Sequence, residues 1–431
     1  MTKNSNDVIL VGFALFAMFF GAGNLIFPPF MGFMAGTHWA AALVGFLITG
    51  IGMPLLGIMA SARAGGTVEK LADIVGSKFS RVLSIVILLA IGPLLAIPRT
   101  AATTFELGVR PNFEGAPAWA SSIVFFTITL FFALNKSAVI DRIAKFLTPF
   151  LVFTLALIIL KGIFNPMGPV QDTGYTNAFG NGFREGYQTM DALASLVFAE
   201  IIIVTLIFKG YKSVSDQVRM TSMAGGIAAT GLGLVYGGLM YLGATSSSLF
   251  PADVERTDLL IGIAQGVLGG AGSVALGVAV SMACLTTSIG LTATVGDYFS
   301  TLLGGKISYK TICIATVVFS AVFATVGVTT IVRVAVPLLV MVYPVAIILI
   351  LLTMVGVTNK GIYRGAVFGA MATSVFDALS AAGLSITSVT NVLQMIPLAK
   401  MGFTWIIPAV VGGIIGAVLF AISSGKAHSR N

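Results

Sequence analysis

Residues 11–32 read VGFALFAMFFGAGNLIFPPFMG and contain no ionisable side chain. Crossing the hydrocarbon core of a bilayer takes about 20 apolar residues, so this stretch is predicted to span a membrane. Its middle is poorly suited to a continuous helix. Gly21-Ala22-Gly23-Asn24 falls there, and each glycine costs about 1 kcal/mol relative to alanine. Pro28 and Pro29 follow; they lack the N–H groups that would bond the carbonyls of Asn24 and Leu25. Free backbone groups at membrane depth persist only beside protein or a wet cavity. The stretch therefore reads either as an interrupted crossing or as a kinked packing helix with small residues at a contact. In the first reading its N–H groups suit a carboxylate and its carbonyls a cation.

The rest of the chain has the same character. Of 431 residues, 57% are hydrophobic and 9% charged, far below the quarter or so that covers a soluble domain. Eleven further apolar segments follow, at roughly 38–62, 82–108, 119–134, 146–164, 186–208, 220–244, 272–299, 309–330, 334–356, 365–385 and 403–424. Residues 258–270 are too short to span and read as an external loop helix. The net charge of +8 does not point to nucleic acid, because Lys and Arg sit in short clusters between apolar runs. With the N-terminus in the cytoplasm, 17 of the 24 Lys and Arg residues fall on the cytoplasmic side, as the positive-inside rule requires. The expectation is an all-α integral membrane protein, one polytopic unit over 1–431 with about twelve crossings and both termini inside. Cys284 and Cys313 lie in apolar segments and suggest neither a disulfide nor a metal site.

Polar residues inside the spans are the functional candidates, because charge at membrane depth is costly. Segment six carries Asp191 and, deeper, Glu200; each reads as a cavity-facing carboxyl or part of a structural pair, and Glu200 also as a proton site. Arg99 in segment three follows Pro98 and needs a carboxylate or carbonyls; Glu106 and Asp191 are the candidate partners, and a gating role is the alternative. Asp377 reads as a locally hydrogen-bonded carboxyl. Thr286, Thr287 and Ser288 offer three successive hydroxyls, either as hard ligands for a small cation or as back-bonds to the preceding turn. Segments one and six are both interrupted, and each opens a run of five. That is the pattern of transporters built from inverted repeats, here about 8–164 and 186–356, with two more segments at 365–424. HExxH, GxxxxGK[ST] and GxSxG are all absent from the sequence, which argues against ATP-driven pumping within this chain and against an intramembrane metalloprotease.

Three stretches carry a family resemblance: FAMFFGAGNLIFPP at 16–29, GPLLAIPRTA at 92–101 and EGYQTMDALASLVF at 185–198. With them the chain resembles, along its whole length, the bacterial branched-chain amino acid carriers of the BrnQ type. The resemblance implies a LeuT-like fold, no enzymatic activity, no covalent cofactor, and import of leucine, isoleucine and valine across the inner membrane with a cation, most often Na+. It implies substrate contacts at Gly21, Ala22, Gly23, Asn24, Ala194, Ser195, Phe198, Thr287 and Leu291, with Ser195-Leu196 and Phe198 in the unwound part of segment six. It also implies a Na+ site from the carbonyls of Ala17 and Phe20 with Ala283, Thr286 and Thr287. Ala199-Glu200 departs from the expected glycine and apolar pair and raises H+ coupling as the alternative. A membrane sensor of amino acids and a passive channel are the rivals from other classes. The former lacks a cytoplasmic domain of useful size, the latter a continuous polar stripe. Oligomeric state is not legible.

Overall fold

A computed structural model describes residues 5–135 and 139–428, with side chains over 6–134 and 149–423. Of the cations used for orientation, Lys3, Lys136 and Arg430 lie outside the described residues, and Arg142, Lys145 and Lys426 outside the described side chains.

Among the described residues every regular element is helical. Segment one is α1 (Ser5–Phe19) and α2 (Gly23–Ala35), and segment two is α3 (Trp39–Leu47) and α4 (Met53–Ala64) joined by a wide turn at Ile48–Gly52. Gly23–Ala64 is helical for 42 residues. At 1.5 Å per residue it would reach about 63 Å, twice the hydrocarbon thickness, but it folds back at Gly36, whose φ is +50°. After the short α5 (Val68–Ala72), segment three is α6 (Ser77–Leu89) and α7 (Ala96–Thr104). The break between them falls at Gly92 and Pro93, upstream of Pro98, which sits tolerably in the first turn of α7.

Next come α8 (Ala118–Asn135), α9 (Val139–Phe164), α10 (Ala178–Glu185), α11 (Asp191–Phe208) and α12 (Val214–Thr245). The loop helix expected at 258–270 is α13 (Arg256–Leu268). α14 (Gly270–Leu302), α15 (Tyr309–Ala324), α16 (Val328–Val355), α17 (Lys360–Ala381), α18 (Thr387–Gln394) and α19 (Ile406–His428) complete the chain. The boundary expected at 330–334 lies earlier, at Gly327, whose φ of +86° glycine alone adopts freely.

Seven of these helical runs are long and apolar enough to cross a membrane, and four shorter apolar helices accompany them. Large apolar side chains such as Phe13, Phe131, Val322 and Leu419 point outward, where a soluble protein would place charge. Close packing instead uses small residues. Gly32 of α2 lies against the Met240 carbonyl of α12, and Gly243 of α12 lies against the Pro29 backbone; neither has room for a Cβ. The same close approach joins Gly361 and Gly365 of α17 to Gly412 and Gly416 of α19.

α13 is tied down by three consecutive residues. Arg256 pairs with Glu185 at 3.0 Å, Thr257 donates to Glu106 at 2.7 Å, and Asp258 pairs with Arg110.

Candidate functional site

The first helix break occupies Phe20–Ala22, between α1 and α2. It lies at the glycines, as their cost in a helix suggests. The prolines do not open the chain: Pro28 and Pro29 are buried inside α2. The N–H groups of Gly23 and Asn24 open α2, where no intrahelical acceptor exists. The Gly21 N–H is already taken, because the side-chain carbonyl of Asn24 accepts from it at 3.2 Å.

The second break corrects the sequence expectation. Ser195, Leu196 and Phe198 are not unwound; they lie within the continuous α11. Residues 192–199 are mostly Ala and Leu, good helix formers. The interruption falls upstream, where a tight turn at Gly186–Thr189 leads into Met190 at φ +63°. A non-glycine residue in the left-handed region costs of order 1–3 kcal/mol and persists only where its surroundings hold it. Met190 is 2% exposed, and the Thr189 hydroxyl accepts from the Asp191 N–H at 3.3 Å.

Asn24 joins the two breaks. Its amide nitrogen donates to the Asp191 carboxylate at 2.6 Å and also to the Tyr236 hydroxyl of α12. All three side chains are buried, and a buried network that is satisfied holds its members in one arrangement. Arg99, 4% exposed, pairs with neither candidate carboxylate. It donates to the Gln188 carbonyl at 2.6 Å and the Thr189 carbonyl at 3.5 Å, and its guanidinium lies 5.3 Å from the Phe27 ring centre. Arg99 thus braces the turn that forms the second break. Glu106 is engaged elsewhere, accepting from Thr257 and, at 2.8 Å, from the Val328 N–H.

Between the breaks lies a narrow cavity of about 40 Å³. It brings together Gly21, Ala22, Gly23, Asn24, Arg99, Asp191, Ala194, Phe198, Thr287 and Leu291 from the sequence candidates. Met18, Ile91, Ala96, Thr100, Thr189 and Met190 complete the lining. One part is polar, with helix N-termini, a guanidinium and a carboxylate; the other is a wall of Met18, Ile91, Phe198 and Leu291. Such a mixture suits a small molecule with charged and apolar ends.

Six candidates lie outside this lining. The Ser195 hydroxyl donates to the Ala192 carbonyl at 2.7 Å and packs against Gly57 of α4. Glu200 is exposed, and nine residues beyond Asp191 it is about 14 Å further along the helix. It lines a separate cavity of about 390 Å³ with Glu69, Arg81 and Tyr298, so its surroundings are polar and not the deep apolar span expected. Of the residues expected at a Na+ site, Thr287 reaches the central cavity, while Ala17, Phe20, Ala283 and Thr286 do not line it. The Thr286 hydroxyl donates to the Ala283 carbonyl at 2.9 Å, the back-bond open to it from sequence. Asp377 accepts from Thr404, a local bond of the kind expected. Sequence reasoning missed Met190 and Tyr236: an apolar residue ahead of a carboxylate and a lone tyrosine in a glycine-rich helix carry no signal of their own.

Comparison with known proteins follows the same lines. Residues 4–423 match the model of a family described as branched-chain amino acid transport protein. The branched-chain amino acid permease BraB of Bacillus subtilis is 40% identical over 424 residues, covering 96% of this chain and 95% of the relative. The branched-chain amino acid permease BrnQ of Escherichia coli K12 is 33% identical over 430 residues, covering 98% and 97%. Among solved structures, inward-facing Mhp1 superposes with a TM-score of 0.62 at 14% identity, covering 96% of this chain and 91% of that one. MhsT in complex with L-phenylalanine does so with 0.54 at 15% identity, covering 98% of each. These likenesses establish a LeuT-like helical fold. The chain is a multi-pass membrane transport protein and not an enzyme, and with a match along almost its entire length it belongs to the branched-chain amino acid transport protein family.

Proposed function

We propose that the chain imports leucine, isoleucine and valine by symport with a cation, Na+, through alternating access. The observation that carries this reading is the cavity where the two helix breaks meet, with its charged groups at one part and its apolar wall at the other. The permease relatives favour the same substrate class.

The substrate carboxylate meets the N–H groups of Gly23 and Asn24 and the Thr287 hydroxyl. The ammonium meets the Gly21 carbonyl in the first break and the second carboxylate oxygen of Asp191. The carbonyls of Gln188 and Thr189 are less available to it, because Arg99 already binds them. The side chain lies against Phe198, Leu291 and Ile91. Each buried methylene contributes about 0.8 kcal/mol, which favours the three branched substrates over alanine but separates them poorly from one another.

A zwitterion carries no net charge, so a cation must supply the drive. One charge crossing 100 mV yields about 2.3 kcal/mol, equivalent to roughly 50-fold accumulation. We place Na+ at the carbonyls of Ala17, Phe20 and Ala283 with the hydroxyls of Thr286 and Thr287; Thr286 then exchanges its helical back-bond for the ion. Glu200, in its own polar cavity, is not needed for coupling in this scheme. The repeats at about 8–164 and 186–356 rock around the site, with 365–424 added outside them. In this scheme about twelve crossings leave both termini on the cytoplasmic side of the inner membrane.

Counterflow tests the carrier reading. Proteoliposomes loaded with unlabelled leucine should transiently accumulate labelled leucine from outside. No exchange, as for a sensor, or label entry independent of internal leucine, as for a channel, rejects it.

A further inference from the structure

A second cavity, of about 280 Å³, lies behind the turn at Gly186–Thr189, between α10, α16, α17 and the chain leading into α19. It shares no lining residue with the central cavity. The two meet at the turn itself: Tyr187 lines the outer cavity and Thr189, two residues on, lines the central one. Its volume is close to the lower end, roughly 300 Å³, of small-molecule sites.

The outer cavity holds one cation and one anion that do not pair with each other. Arg184, exposed at its edge, donates to Asn181 at 2.6 Å. Asp377, half-buried, accepts from Thr404. Two further polar groups have only each other. The Tyr187 hydroxyl and the Trp405 indole N–H face each other and have no other partner; the residues are 3% and 8% exposed. A polar ligand group placed between them would give both a second partner. Val336 and Val340 of α16 add an apolar wall.

A lone anion would leave Asp377 facing like charge, and a lone cation would do the same to Arg184. An apolar ligand would give Tyr187 and Trp405 no second partner. We propose that this outer cavity is a second binding site for an amino acid zwitterion with an apolar side chain. The ligand carboxylate lies between the Arg184 guanidinium and the Trp405 N–H, and its ammonium faces Asp377 and the Tyr187 hydroxyl. Its side chain lies on Val336 and Val340. The site also touches the moving part of the molecule, since the Tyr187 ring stacks on Tyr343 at 4.2 Å and 21° and the next two carbonyls hold Arg99. An occupant therefore bears on the turn that forms the second helix break. The inference rests on the charges and polar atoms of the outer cavity and stands apart from the transport reading.

Equilibrium binding of radiolabelled leucine to the purified full chain in nanodiscs tests it. Two leucines per chain are expected for the native protein. Asp377→Asn, which keeps an acceptor for Thr404, and Arg184→Gln at the exposed edge should each leave one. Trp405→Phe should weaken the same site while keeping its packing. Neither 4-methylpentanoate nor isoamylamine, which lack the ammonium and the carboxylate, should displace the leucine held there. If bound leucine is unaltered by Asp377→Asn and Arg184→Gln, or if no leucine binds at all, the outer site is refuted whatever the uptake assays show. If Asp377-dependent binding persists in a protein that fails counterflow, the outer site stands and the transport reading falls.

Discussion

Asn24 has three partners, the Gly21 N–H, the Asp191 carboxylate and the Tyr236 hydroxyl, and through them it locks both breaks in register. Asn24→Ala would strand two buried groups at about 1–3 kcal/mol each. The variant should unfold at a lower temperature in detergent and lose about tenfold or more in leucine uptake, tenfold being about 1.4 kcal/mol. Unchanged unfolding and uptake would show that the network holds nothing. Phe198 acts differently, as part of the apolar wall. Phe198→Ala should lower uptake of leucine, isoleucine and valine about tenfold while affecting alanine less, because the loss scales with apolar area. An equal fall for all four substrates would place the side-chain pocket elsewhere. Asn24 and Asp191 were legible as candidates because polar groups in apolar spans stand out. Their bond was not, since 167 residues separate them and nothing local records which distant groups will meet. Ser195, a candidate through the family resemblance alone, is spent on its own helix.

At the scale of elements, the first break was legible because glycine weakens a helix wherever it occurs. The second was not: Met190 favours neither a turn nor a positive φ, and it is held there by its surroundings. The LeuT-like resemblance placed the unwound stretch five residues too late, since local helix propensity over 192–199 prevails. Small residues carry a further element-scale signal. Gly32 brings α2 against α12 beside the site, whereas Gly365 brings α17 against α19 away from it. A side chain at either position must push helices apart. Gly32→Val should lower both the unfolding temperature and leucine uptake. Gly365→Val should lower the unfolding temperature with little change in the KM for leucine. The reverse pattern would mean that the α17 and α19 pair shapes the binding site.

For the whole molecule, charge asymmetry and apolar length made a multi-pass membrane protein plain from composition alone, because no soluble surface can be built from so few charges. What composition could not show is how the ends are held. Lys209, following α11, pairs with Asp7 of α1 at 2.7 Å, and the Tyr211 hydroxyl reaches the same carboxylate at 3.2 Å. At the start of α13, Arg256 pairs with Glu185 of α10 and lies 4.1 Å from the ring centre of Phe30 in α2. Both broken segments are thus anchored beyond their breaks, and the proposed alternating access requires rearrangement at Phe20–Ala22 and Met190. The central claim is that this cavity binds a branched-chain amino acid and couples its movement to Na+. The most direct test is leucine uptake into proteoliposomes with and without an inward Na+ gradient, at fixed pH and membrane potential. The account predicts uptake that requires the gradient and, at low Na+, is lost in Thr287→Ala. Uptake that ignores Na+ and follows a proton gradient instead would contradict it.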